Sequence, residues 1–193
     1  MRNSIAVPLA IAAFIASRDA YADVTSWLAV GGGEALERNR PAATRDFAPA
    51  LTYSVGVGSS SLASFVLGGL LRGKTMFGLG TDVGVAVRAA SGGFARGDWG
   101  VALDVGALWR SWRGGAYGDW PLQAVITGGS PWGLQLAAGV ELFSVAGGTS
   151  AQGGFAAVEI DLLRLTLMRQ GPSERWWPNP NPAGGHRTTA FAW

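Results

Sequence analysis

The chain has no cysteine, one histidine and only 15 basic and 13 acidic side chains among 193 residues. Without cysteine it can form neither disulfides nor thiolate metal sites, and a lone histidine cannot build a zinc centre. Charge at 15% of residues is well below the roughly 25% of an ordinary soluble domain, which argues against a helical bundle and a charged disordered chain alike. The net charge of +2 comes from basic residues scattered among acids, so no stripe exists to neutralise a row of phosphates, and a nucleic-acid partner is not expected. Phosphate-loop and nucleophile-elbow patterns are missing as well. Gly78-Leu79-Gly80-Thr81-Asp82-Val83-Gly84 has the wrong spacing for a dinucleotide loop and precedes a strand pattern, so its glycines read as turn residues. What the chain has in excess is glycine, 30 residues, and tryptophan, nine.

Residues 1–22 read as an export signal. Arg2 and Asn3 precede an apolar run from Ile5 to Ala16, and Ala20-Tyr21-Ala22 supplies a small-residue cleavage pattern. That run is too short to cross a bilayer as a helix, which needs about 20 residues. The mature chain would start at Asp23.

Two long uncharged segments, Phe47 to Leu71 and Trp120 to Val140, resemble spanning helices in hydropathy alone. Each is broken at its centre, by Gly58-Ser59-Ser60-Ser61 and by Gly128-Gly129-Ser130-Pro131. Such clusters punctuate the backbone, and the flanking pieces of about ten residues match one tilted spanning strand. Periodicity points the same way. In Phe47, Pro49, Leu51, Tyr53, Val55 and Val57 every second residue is large, while Ala48, Ala50, Thr52, Ser54 and Gly56 between them are small or polar. Trp99, Val101, Leu103, Val105, Ala107 and Trp109 alternate similarly, as do Trp132, Leu134, Leu136, Ala138, Val140 and Leu142.

Eight strands are expected, over 24–33, 46–57, 62–72, 81–90, 98–110, 119–128, 132–145 and 154–168. Turns at 58–61, 91–97 and 129–131 would lie at one end, and longer connections at 34–45, 73–80, 111–118 and 146–153 at the other. A soluble sandwich would crowd its non-apolar face with charge. Here that face is mostly Gly, Ala, Ser and Thr, which fit the narrow interior of a closed eight-stranded barrel. The few charges on it, Arg72, Asp82, Arg88, Asp104, Arg110, Glu141, Glu159 and Asp161, have both signs and are expected to form an internal network, because single buried charges are costly. Residues 154–168 change parity at Leu163, Leu165 and Leu167, which requires a bulge or lumen leucines. Residues 171–193 read as a Pro/Trp-rich tail, with 186–193 as an alternative closing strand.

Trp99 and Trp109 share a strand face ten residues apart. At ~3.3 Å per residue and ~45° tilt they would be ~23 Å apart along the barrel axis, close to the ~25 Å apolar band of a membrane barrel. Trp27, Phe47, Trp120, Trp132 and Phe155 also fall near strand ends and are read, with Trp99 and Trp109, as interface aromatics. Phe191-Ala192-Trp193 is similar to the aromatic C-terminal insertion signal of outer-membrane barrels, with Thr188 where that pattern usually has Gly.

Export signal, alternating segments, aromatic rims and aromatic terminus together resemble the small outer-membrane β-barrel proteins of Gram-negative bacteria. The resemblance covers roughly residues 24–168 and implies a closed antiparallel up-and-down transmembrane barrel with both termini in the periplasm. Its implied partners are outer-membrane lipid, lipopolysaccharide and the barrel-insertion machinery; no cofactor is implied. Some such barrels are lipid A deacylases that use a His, a Ser and an acid; here His186-Arg187-Thr188 replaces their His-x-Ser and no oriented partner for His186 can be assigned. Arg110, Trp112, Arg113 and Tyr117 form a candidate surface grip for lipopolysaccharide phosphates and sugars, with an interfacial anchor as the plainer reading. The reading favours a non-enzymatic barrel with a filled lumen. A lipid-modifying enzyme, a narrow pore for small or hydrophobic solutes and a periplasmic lipocalin-like carrier are its rivals.

Overall fold

The computed structural model describes residues 24–39, 44–60, 63–111, 120–145 and 149–163. The expected signal 1–22 and the tail 171–193, including His186, lie outside the described residues, as do Trp112, Arg113 and Tyr117. Eight strands follow one another in chain order: β1 (Val24–Asn39), β2 (Thr44–Ser60), β3 (Phe65–Met76), β4 (Gly80–Ser91), β5 (Gly100–Arg110), β6 (Leu122–Gly129), β7 (Leu134–Val145) and β8 (Thr149–Asp161). Each pairs antiparallel with the next, and β8 pairs with β1 to close an up-and-down barrel.

The register fixes the geometry of closure. Cα partners run Leu28, Val55, Leu71, Val85, Ala107, Leu122, Leu142, Gln152 and back to β1 at Arg38. One circuit therefore returns ten residues further along β1, a stagger that tilts eight strands by about 40° from the axis. Because β8 already closes on β1, the barrel has no place for 186–193 as its closing strand, and 149–161 takes that role. The strand ends at Asp161, before the leucines of opposite parity, so no bulge is needed within it.

The expected long connections at one end are mostly absent. The β1–β2, β3–β4 and β7–β8 ladders continue to Asn39↔Thr44, Met76↔Gly80 and Val145↔Thr149, which shortens those links to three or four residues. Polar and glycine-rich residues continue a ladder whose register is already set, because the backbone bonds do not depend on apolar side chains. Gly78 takes a left-handed φ of 83° in the β3–β4 turn, where its lack of Cβ is needed.

The opposite end, where β1 begins, holds a short α-helix, α1 (Gly92–Arg96), within the β4–β5 link. Ser91 caps it by accepting a hydrogen bond from the Phe94 N–H (3.3 Å), and Gly97 ends it in the left-handed region (φ 81°). The helix turns Phe94 and Ala95 into the mouth of the barrel, where both are fully buried with Trp27, Val66, Ala90 and Ala102. A simple turn had been expected there.

Candidate functional site

Alternation along each strand separates two sets of side chains. Inward rows are small, polar or charged; outward rows carry the large apolar residues. Among the described residues ten charged side chains are buried: Glu37, Arg72, Lys74, Asp82, Arg88, Asp104, Arg110, Glu141, Glu159 and Asp161. The six other described charges, Glu34, Arg38, Arg45, Asp46, Arg96 and Asp98, lie on the β1–β2 hairpin or in the link containing α1.

The buried charges form two layers. In the layer nearer α1, Asp104 on β5 accepts two hydrogen bonds from Arg88 on β4, from Nε (2.6 Å) and Nη2 (2.7 Å), and a third from Arg72 Nη1 on β3 (2.9 Å). Arg72 Nη2 donates to Glu159 Oε1 on β8 (2.8 Å). Two guanidiniums thus face two carboxylates, and this layer is balanced.

The second layer lies nearer the other end. Lys74 Nζ on β3 donates to Glu141 Oε1 (2.7 Å) and Glu37 Oε1 (2.9 Å) and stands 3.9 Å from Asp82. Arg110 grips Asp82 through Nε (3.0 Å) and Nη2 (2.7 Å), and Nη2 also reaches Glu141 Oε2 (3.0 Å) and Glu37 Oε1 (3.3 Å). Gln123 on β6 donates to Glu141 Oε1 (2.7 Å). Oxygens of Glu37, Asp82 and Glu141 lie within 4.8 Å of one another, a spacing that suits a metal ion. The Lys74 ammonium and the Arg110 guanidinium already lie against all three carboxylates, so the cluster carries its own cations. Two cations therefore serve three carboxylates, and carboxylates held in ion pairs of this kind are poorly suited to general-base work.

Aromatic rings separate and cover these layers. Phe155 lies between Arg72 (5.5 Å to the ring centroid) and Lys74 (5.7 Å), while Arg88 lies between Trp27 (5.1 Å) and Phe94 (5.5 Å). Glycines make room for them. A Cβ on Gly58 or Gly68 would strike the Trp27 ring, and one on Gly139 would strike Phe155.

The eight charges assigned to the lumen from sequence are all buried, and seven of them join these two layers. Asp161 stands apart, accepting from Gln135 Nε2 (3.5 Å) and the Leu163 N–H (3.1 Å). Two assignments are corrected. Trp27, read as an interface aromatic, is 2% exposed and points inward, and Phe155 is likewise buried. Arg110 is buried with Asp82 and cannot take part in a surface grip. Glu37, Lys74, Gln123 and Phe94 were missed, although the parity of Lys74 with Arg72 and Met76 would have revealed it had β3 been carried past residue 72.

No protein-family model, curated protein or solved structure matches this chain.

Outside the barrel, 26 large apolar side chains are exposed among the described residues. Trp99, Val101, Leu103, Val105 and Trp109 form one continuous outward row on β5 and its approach. Near α1 the row begins with Trp99, whose ring meets that of Trp132 edge to face at 5.4 Å, with Phe65 at the same end of the barrel. At the far end Trp109, Trp120, Phe47 and Phe77 form a second aromatic ring. The Leu108 N–H bonds to the Pro121 carbonyl (2.9 Å), bringing Trp120 beside Trp109, and the Phe77 N–H bonds to the Pro49 carbonyl (2.9 Å), bringing Phe77 beside β2.

Proposed function

We propose that the chain is an integral outer-membrane β-barrel with a structural or surface-binding role and a lumen filled by its own side chains. The observation that carries this reading is the inversion of the usual distribution: among the described residues ten charges are enclosed, while 26 large apolar residues face outward. Water would solvate such a surface poorly, and soluble monomers rarely expose contiguous apolar patches beyond a few hundred Å². Hydrocarbon solvates it well. The Trp99-to-Trp109 span of ~23 Å supports the same reading, since it matches the ~25 Å apolar band flanked by aromatic girdles. A lipocalin-like carrier would need the Val and Trp rows to line a ligand cavity, and they face the other way. The two charge layers and the α1 plug favour a barrel that does not conduct like a porin.

Fractionation with heat-dependent gel mobility tests the reading. The chain should resist extraction without detergent, sediment with outer membranes and migrate differently before and after boiling. Release into detergent-free buffer as a monodisperse protein would overturn it. In planar bilayers the protein should give no nanosiemens-scale steps; such steps would remove the filled lumen while leaving the membrane assignment in place.

A further inference from the structure

The β1–β2 hairpin carries a pair of charges that the lumen network does not use. Arg38 and Arg45 are direct cross-strand partners, and both are exposed. They share the outward parity of Leu36 and Phe47, the next outward pair down the hairpin. Directly opposed residues bring their Cβ atoms within roughly 5.5 Å, and like charges so placed destabilise a hairpin unless an anion stands between them. Neither guanidinium has an ion-pair partner among the described residues. The acids paired one step below, Glu37 and Asp46, have the opposite parity, and Glu37 is committed to Lys74 and Arg110. Glu34, the nearest acid with outward parity on β1, is four residues from Arg38, about 13 Å along the strand. On the β8 side Arg38 is flanked by Gln152, a further hydrogen-bonding side chain.

Position supplies the second half of the argument. Leu36 and Phe47 belong to the far aromatic and apolar rim, and the arginine pair lies two residues beyond it, roughly 5 Å further along the barrel axis for strands tilted by about 40°. The headgroup layer of a bilayer adds about 5–8 Å to each side of the hydrocarbon core. We propose that Arg38 and Arg45 clamp a phosphate of a phosphorylated glycolipid in the leaflet that meets this end of the barrel. Planar guanidiniums bind phosphate oxygens in bidentate fashion, and two of them on a rigid ladder hold one phosphate without ordering a loop. The inference rests on the membrane reading and names a lipid partner for it.

The test uses the full chain folded into phosphatidylcholine nanodiscs doped with bisphosphorylated or dephosphorylated lipid A, with lipid retention read by native mass spectrometry. Wild type should retain the bisphosphorylated form at least tenfold better. The Arg38→Gln/Arg45→Gln double variant should lose that preference, and Arg96→Gln, at the opposite end, should keep it. Millimolar inorganic phosphate should not displace the lipid; if it does, the site is one for free anion and the lipid clamp is wrong. Equal retention of both lipids by wild type, or an unchanged preference in a double variant that keeps its heat-dependent mobility, overturns the inference and leaves the membrane reading intact. A wild-type chain that never enters the nanodiscs overturns both.

Discussion

Asp104 is the residue on which one charge layer depends, because its two oxygens serve both Arg88 and Arg72. Replacing it with Asn leaves two buried guanidiniums facing a neutral amide, and breaking a buried pair from one side costs about 3–5 kcal/mol. Glu159→Gln should cost less, since Arg72 keeps Asp104. Urea unfolding of the detergent-folded protein should therefore show a lower midpoint for Asp104→Asn than for Glu159→Gln, at a similar slope. Equal midpoints would mean that the layer does not act through Asp104. Trp27 offers a second residue-level test. Its ring lies on Gly58 and Gly68 and against Arg88, so Trp27→Ala opens a cavity that backbone cannot fill and should cost about 3–5 kcal/mol. Trp99→Ala, at a residue 67% exposed on the outside, should leave lumen packing unchanged.

At the scale of elements, Ser91 makes two of the hydrogen bonds that hold α1 in place. Its Oγ accepts from the Phe94 N–H (3.3 Å) and from the Val101 N–H (3.1 Å), tying the helix start to the beginning of strand β5. Ser91→Ala should cost about 1 kcal/mol and speed exchange of the Phe94 and Val101 amides, measurable by hydrogen exchange in micelles. The elements also show why some features were readable and others were not. Strands announced themselves wherever one row was uniformly large, as from Trp99 to Trp109, because a period of two needs only neighbouring residues to be seen. Strand β1 offers no such contrast: Trp27 and Ala29 stand in one row, Leu28 and Val30 in the other. What sends Trp27 inward is the space above Gly58 and Gly68, on two other strands, which no local pattern reveals. Phe155 and Gly139 repeat the lesson across β7 and β8. Glu37 and Lys74 were lost for a different reason. Turn-like composition placed the ends of β1 and β3 too early, whereas the ladders run on to Asn39 and Met76.

For the whole molecule the decisive quantity is the solvation of the outward face, and it can be probed where that face is deepest. Val105 lies near the middle of the outward row that runs from Trp99 to Trp109 and is exposed. If the row is solvated by hydrocarbon, Val105→Arg places a cation near the bilayer midplane, at a cost of about 2–4 kcal/mol. If it meets water instead, the same change puts a charge on an exposed strand position and should be neutral or improve solubility. The two cases differ in sign. Folding of the variant into phosphatidylcholine vesicles, followed by the fraction of heat-modifiable band across a urea series, should show a destabilisation several times larger for Val105→Arg than for Phe47→Arg. Phe47 belongs to the far rim, where the cost falls to about 0–1 kcal/mol. Depth dependence of this kind requires a bilayer, because the exposures of Val105 and Phe47 are both high and water would treat the two arginines alike. Equal effects at the two positions, together with improved recovery of Val105→Arg in detergent-free buffer, would remove hydrocarbon as the solvent of the apolar belt.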